Sequence, residues 1–329
     1  MIPLLILGYS RPQSIQRVLQ QVEELEKTYV IISLDGMDLN TSINLKSQIL
    51  KTQDICHEWK RNSKHKVDIL IQSSNLGCNL HTITAIRKCV ERHGFGLLLE
   101  DDCEFVNDYV LYLNDNVSTL ISSSIHSLCG WALDWKNDLS AKPTSEIIEF
   151  QKSKFMGASL GMTFNSNSLD NFDQSLRELD LQVWDYKIEK AIRKSSCNFM
   201  QKLVLIDFWQ NKIRSCINTW DRQNPNYDPH KENGWDARWQ LSAFLAEKDF
   251  LIPTWTVSRE SLYQDEGQWH EHAFNYPAWD SKIVNIQFAS IRDISKISSI
   301  KVKRITGLGL KRLPIYKFLK ILLKKIRYR

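Results

Sequence analysis

The stretch Gly96-Leu97-Leu98-Leu99-Glu100-Asp101-Asp102-Cys103-Glu104-Phe105 limits the possible folds of this chain more than any other. Its unbroken apolar run reads as a strand buried on both faces, and it stops in three consecutive acids where a parallel strand reaches its carboxyl end. Ligands bind at that end in open α/β sheets. Adjacent carboxylates repel one another, so they need solvent or something positive between them, such as a divalent metal. The plain alternative is a solvated acidic turn entering a helix at Asn107, whose N-terminus favours negative charge. The hydrophobic strand ahead of the triplet tips the balance towards a binding site.

The residues before this strand alternate in the same sense. Residues 3–8 predict a first strand, followed by Ser10-Arg11-Pro12 and a helix from Gln13 to Glu26 with Ile15, Val18, Leu19, Val22 and Leu25 on one face. Val30 to Leu34 predicts a second strand ending at Asp35-Gly36, and a polar helical stretch leads to a third at Val67 to Ile71. The turn Ser73 to Gly77 then opens a helix from Asn79 to Arg92. Strand-helix alternation of this kind predicts a parallel sheet with helices on both faces. Right-handed crossovers would gather Arg11, Asp35, Asn75 to Asn79 and Glu100 to Asp102 at one edge, where a nucleotide would sit.

Beyond Asn116 the alternation fades. Ser127 to Ala132 and Ile147 to Phe150 read as strands, and Phe155 to Met162 as a small-residue strand or turn that lets a ligand or another backbone come close. Residues 166–218 read as aromatic-rich helices, Trp235 to Glu247 as a further helix, and Arg259 to Trp279 as a long loop of the kind that forms lids or binding surfaces.

Seven cysteines, odd in number and without CxxC spacing, argue for reduced thiols in a reducing, cytoplasmic compartment and against a zinc cluster or a disulfide framework. Met1 to Leu7 lacks a basic flank and a cleavage site and reads as a strand, not a signal peptide. No apolar run is long enough for a membrane span. Residues 301–329 carry eleven Lys or Arg and no acid, leaving 32 basic against 38 acidic residues in the rest. That tail, with Leu308, Leu313, Phe318 and Leu322 among the bases, reads as a basic amphipathic helix on an anionic membrane surface, with a C-terminal helix docked on the body or a nucleic-acid contact as the alternatives. A net acidic body without a nucleic-acid motif argues against nucleic acid as a partner.

Taken in order, Pro3 to Pro12, Ser33-Leu34-Asp35-Gly36, Asn75-Leu76-Gly77, Leu98 to Asp102, Gly157 to Met162, Trp235-Asp236-Ala237-Arg238-Trp239 and Ile252-Pro253 resemble a glycosyltransferase of the A-type fold. Over residues 3–275 the chain is similar to bacterial relatives of the Golgi alpha-mannoside beta-1,2-N-acetylglucosaminyltransferase. The resemblance implies a Rossmann-like GT-A mixed sheet flanked by helices, with a nucleotide-sugar-binding half over 1–115, an acceptor-side half over 116–290 and a separate tail over 291–329. It implies a UDP-sugar donor, a glycan or lipid-linked glycan acceptor, inversion at the anomeric carbon and Mn2+ or Mg2+ as cofactor.

Carried over by position, the resemblance implies that Asp102 binds the metal, that Glu100 and Asp101 hold ribose and metal-bound water, and that Arg11 and Asp35 contact the uracil or its ribose. Asn75, Gly77, Asn79 and the helix start up to His81 would complete that pocket, and Asp236 would be the catalytic base, with Asp185 as its rival. The pattern departs after Pro253, where His270 is aligned with the loop that closes on the diphosphate. Two other readings stand beside this one. A sugar-phosphate nucleotidyltransferase would need a glycine-rich basic loop that Gly8 to Arg17 does not supply, and a non-catalytic carbohydrate-binding protein could use the eleven tryptophans to stack on sugars.

Overall fold

The computed structural model describes residues 1–122, 125–131, 147–153, 159–177, 186, 189–190, 192, 235–254, 256–260 and 287–288. The first hundred residues alternate as β1 (Leu4–Gly8), α1 (Pro12–Glu23), β2 (Tyr29–Leu34), α2 (Ile43–Asn62), β3 (Lys66–Ile71), α3 (Gly77–His93) and β4 (Phe95–Glu100). Pro12 occupies the first turn of α1, where a missing N–H costs nothing. Further on come β5 (Cys103–Phe105), α4 (Asn107–Ser122), β6 (Ile125–Leu128), β7 (Ile147–Ile148), β8 (Phe150–Ser153), β9 (Met162–Asn165) and α5 (Ser166–Arg177). The last elements are α6 (Trp235–Leu245), β10 (Asp249–Pro253), β11 (Ser258–Glu260) and β12 (Gln287–Phe288).

The main sheet has the order β3-β2-β1-β4-β9. Its first four strands are parallel, and β9 runs antiparallel to β4 with Leu98 opposite Met162. The chain therefore builds outward from β1 to β2 and β3, then returns to β1's other flank with β4. In open α/β sheets the crevice for a ligand opens at such a reversal, outside the carboxyl ends of the strands. Here it lies between the end of β1 and the end of β4.

Period-two alternation sends the strand side chains into two cores. Leu4, Ile6, Val30, Ile32, Leu97 and Leu99 pack with the apolar faces of α1 and α4, whereas Leu5, Leu7, Ile31 and Leu98 pack with α3, α5 and α6. Helices thus cover both faces of the central strands, which is why β1, β2 and β4 are largely apolar, whereas β3 at the sheet edge carries Lys66 and Asp68. On the α6 side, Trp239 is fully buried, its indole N–H donates to Ser127 Oγ at 3.1 Å, and its ring meets Phe172 at a centroid distance of 5.6 Å.

A second sheet, β6-β10-β8, and a short ribbon, β11-β5, hold the later part of the chain. In the ribbon, Ser258 lies opposite Phe105 and Glu260 opposite Cys103, so the chain after Pro253 returns to the residues that follow the acidic triplet. The expected close approach near residue 160 is made by backbone: Gly161 has φ +62, and a Cβ there would stand 2.5 Å from the Cβ and Oγ of Ser258. Tyr109, buried on α4, donates its hydroxyl to Gly161 O at 2.7 Å.

The mixed α/β sheet flanked by helices agrees with the sequence reading, with two differences in detail. The strand expected at 127–132 is described as Ile125–Leu128, with Leu128 N donating to Thr163 Oγ1 and Cys129 N to Leu251 O; Ala132 lies outside the described residues. Arg259 and Glu260, expected in a loop, belong to β11 because the exposed edge of β5 offers a hydrogen-bonding partner. Residues 178–185, most of 186–218, residues 261–279 and the 301–329 tail lie outside the described residues. Among the described residues no helix is long and apolar enough to cross a membrane.

Replacing Gly161 with alanine is expected to cost about 2–4 kcal/mol, since a side chain at positive φ and a methyl group driven into Ser258 are both penalised. Urea unfolding checks it. The additional Ser258→Gly change should return the steric share and leave the backbone share.

Candidate active site

At the β1–β4 crevice the two strand ends are joined by one arginine. The guanidinium of Arg11 grips both carboxylate oxygens of Asp101, with Nε at 3.2 Å from Oδ2 and Nη2 against Oδ1, and its Nη1 donates to Asp102 Oδ2 at 2.6 Å. Asp101 also accepts a hydrogen bond from the backbone N–H of Tyr9. Burial pushes the Asp101 carboxyl up to about 6 although Arg11 pulls it down. Burial opposes charge on Arg11 in turn, but the two carboxylates outweigh it and its pKa is raised. The positive group between the acids is therefore supplied by the protein itself, and Arg11, read from sequence as a nucleoside contact, is engaged by Asp101 and Asp102.

The other two acid groups keep capacity for a ligand. Glu100 accepts a hydrogen bond from Ser159 Oγ at 3.1 Å, and burial, followed by repulsion from Asp102, pushes its carboxyl up to about 8. Asp102 Oδ1 is buried with no hydrogen-bond partner. An orphaned carboxylate oxygen of this kind is costly unless something positive reaches it. Among the described residues no group of three or more His, Cys, Asp or Glu side chains is arranged as a metal cage. The two observations are compatible: Mg2+-like cations are commonly held by one or two carboxylates together with water and substrate phosphates, so a single free oxygen beside Glu100 fits such an ion.

Beside the acids, Asp35 organises the next two strand ends. This carboxylate, 4% exposed, accepts from Gly36 N at 2.9 Å and Leu76 N at 2.8 Å through Oδ1, and from Gly77 N at 3.0 Å through Oδ2. It thus caps α3 from another strand, where a negative charge is favoured. Asn75 completes the turn, its Oδ1 accepting from Gly77 N at 2.8 Å and its Nδ2 donating to Tyr9 OH at 2.8 Å. Gly36 is required here, because a Cβ would lie 2.4 Å from Ser74 O and 2.6 Å from Gln72 O. His81 on α3 is buried and meets Ser33 Oγ at 2.9 Å, and burial lowers its pKa despite Asp35. Asp35 and Asn75 therefore shape the loop that the sequence assigned to the nucleoside, with most of their hydrogen-bonding capacity spent inside it.

Asn79 faces elsewhere. Its Oδ1 accepts the backbone N–H of Trp235, the first residue of α6, at 2.8 Å, so the residue next to Asp236 is bonded to α3. Between these elements stands Cys78, exposed at the start of α3. Burial, then the negative charges of Glu100, Asp236 and Asp101, push its thiol up to about 12, against a hydrogen bond with Thr82 that lowers it. Cys78 thus lies within electrostatic reach of both Asp236 and the β4 acids. Ser159 and Cys78 fall within the stretches Gly157–Met162 and Asn75–His81 singled out in the sequence, but neither is named there as a neighbour of the acids, since the pairing with Glu100 and the proximity to Asp236 arise only in the fold. His270 and Asp185 lie outside the described residues.

No protein-family description matches the chain, and no curated protein matches it. Among solved structures it is similar to the crystal structure of HddC from Yersinia pseudotuberculosis, with a TM-score of 0.23 and 14% identity over 46% of this chain and 60% of that one. The chain thus spans less than two thirds of that protein's length, and a likeness of this size carries no argument about activity.

Removing the arginine tests the clamp. Arg11→Met should cost about 3 kcal/mol near pH 8, because it strands a buried carboxylate. Without Arg11 the Asp101 pKa in the folded protein rises further above its unfolded value of about 3.9. The folded variant then holds a proton that the unfolded chain releases, and its stability falls as pH rises through the folded pKa. The deficit measured by urea unfolding in EDTA should therefore be small at pH 5 and large at pH 8; equal deficits would refute the clamp.

Proposed function

We propose that this protein is a metal-dependent, inverting glycosyltransferase of the A-type fold that moves a sugar from a UDP-sugar to a glycan or lipid-linked glycan. The observation that carries the reading is Asp102 Oδ1, a buried carboxylate oxygen without a partner at the carboxyl edge of a parallel sheet. The ordered motifs that resemble the family support it, as does the shared exposure of Cys78 to the β4 acids and to Asp236.

In this reading Asp102 would hold Mn2+ or Mg2+ through its free oxygen, with Glu100 and Asp101 beside it, and the cation would supply charge neutralisation for the leaving diphosphate. Arg11 holds the carboxylates of Asp101 and Asp102 in place, so that the cation meets a preset oxygen. The turn built by Asp35, Asn75 and Gly77 forms the wall against which the nucleoside rests. Asp236, in the first turn of α6, takes the proton from the acceptor hydroxyl as that oxygen bonds to the anomeric carbon. The bond from the anomeric carbon to the phosphate oxygen breaks on the opposite face, UDP departs with the electron pair, and the configuration inverts. His270 would close on the diphosphate, and the 301–329 tail would hold the enzyme at the anionic inner face of the cell membrane, near a lipid-linked acceptor.

A thermal-shift screen of nucleotide-sugars with and without manganese should find a UDP-sugar that stabilises the protein only when the metal is present. Asp102→Ala should abolish that stabilisation, whereas Asp236→Asn should keep it and lose UDP release. An Asp102→Ala variant with undiminished manganese-dependent UDP affinity would defeat the proposal.

A further inference from the structure

We infer that Asn79 is a positioning residue for Asp236: its carboxamide oxygen anchors the first amide of α6 and so fixes where the proposed base stands. The inference rests on the glycosyltransferase reading, and it goes beyond it by giving this side chain a role the resemblance does not, since the family pattern puts the position in the nucleoside pocket.

Four observations carry the assignment. Asn79 is 2% exposed and lies on α3, the element whose first turn is tied to the ends of β2 and β3 by Asp35 and Asn75. Its Oδ1 accepts Trp235 N at 2.8 Å across 156 residues of chain. The N-terminal N–H groups of a helix have no partner within it, and an acceptor supplied by another element fixes that end in space. Asp236 follows directly, and its charge is felt at Cys78, the neighbour of Asn79.

Packing and this bond act on different parts of α6. Trp235 and Trp239 are buried in the core that α3 and α5 share, their rings meeting edge to face at 6.4 Å, which sets the rotation of the helix about its axis. Farther along, Trp239 Nε1 donates to Ser127 Oγ and Ser242 Oγ pairs with His126 Nε2, both at 3.1 Å, so the body of the helix is tied to β6 while its first amide is tied to Asn79. A shift of this first turn would carry the Asp236 carboxylate with it, and displacement of a reacting group by about 1 Å can cost on the order of 100-fold in rate.

The test uses the full-length protein, manganese and the UDP-sugar found by the screen, with release of UDP to water as the assay. Asn79→Leu, which keeps volume and removes the acceptor, should lower kcat by about 100-fold while leaving manganese-dependent UDP affinity within about twofold. Asn79→Asp, which retains the acceptor oxygen, should restore kcat. In an Asp236→Asn background Asn79→Leu should have no further effect. Amide exchange over Trp235–Arg238 should accelerate in Asn79→Leu and not in Asn79→Asp. If Asn79→Leu does not fold, Asn79→Ala serves in the same comparisons. A loss of UDP affinity, an equal loss of kcat in both backgrounds, failure of Asn79→Asp, or unchanged exchange at Trp235 would each overturn the assignment alone. Full turnover by Asp236→Asn would instead remove the base from the glycosyltransferase reading, and this inference with it.

Discussion

Arg11 stands where two sheet strands that are distant in sequence end side by side, and the carboxyl edge of the sheet depends on it. The carboxyl group of Asp101 is almost wholly removed from water, and Asp102 follows it directly, so two negative charges meet at the end of a hydrophobic strand. Coulomb repulsion at that separation would cost several kcal/mol at a protein-like dielectric if nothing intervened. The guanidinium answers both charges at once because its planar fork presents several donors in fixed directions. The loop after β1 is thereby held against the end of β4 at the strand-order reversal. Only one oxygen, Asp102 Oδ1, is left over by this arrangement.

The first turn of α3 is the second junction. Gly77 N–H binds Asp35 and Asn75, Cys78 faces the acids of β4 and Asp236, and Asn79 holds the first amide of α6. Three consecutive residues thus connect the parallel strands, the acid cluster and the helix of the later half. Such a turn is suited to a site that needs fixed geometry, because Leu76 N, Gly77 N and the side chains of Asn75 and Asn79 are hydrogen-bonded within the protein. Its capping by a buried carboxylate also places negative charge at the positive end of a helix. The same economy explains why Asp35, although at a strand end, has little capacity left to bind anything else.

Much of the fold was legible in the amino-acid order. The apolar runs at 4–8, 29–34 and 95–100 have no polar face, and such runs have few places to go other than the middle of a sheet covered by helices on both sides. The position of the acids after Leu99 and of Asp35 after Leu34 followed from the same pattern, as did the helix opening after Gly77. Less legible were partnerships across the chain. The sequence shows that three adjacent acids need either solvent or a positive partner, but ninety residues separate Arg11 from Asp101 and nothing local says that this arginine turns inward. Asn79 has the composition of a turn residue and no mark that its amide group meets Trp235.

The sequence by itself determined a parallel α/β sheet, the edge at which its polar loops gather and the residues available there, because strand periodicity and turn chemistry are local properties of a short segment. Tertiary structure alone decided which cation the acids meet, which oxygen is left without a partner, and which element the Asn79 side chain holds. Those outcomes depend on distances between segments brought together by packing, and a hydrogen bond or ion pair is won by whichever group the fold delivers within about 3 Å.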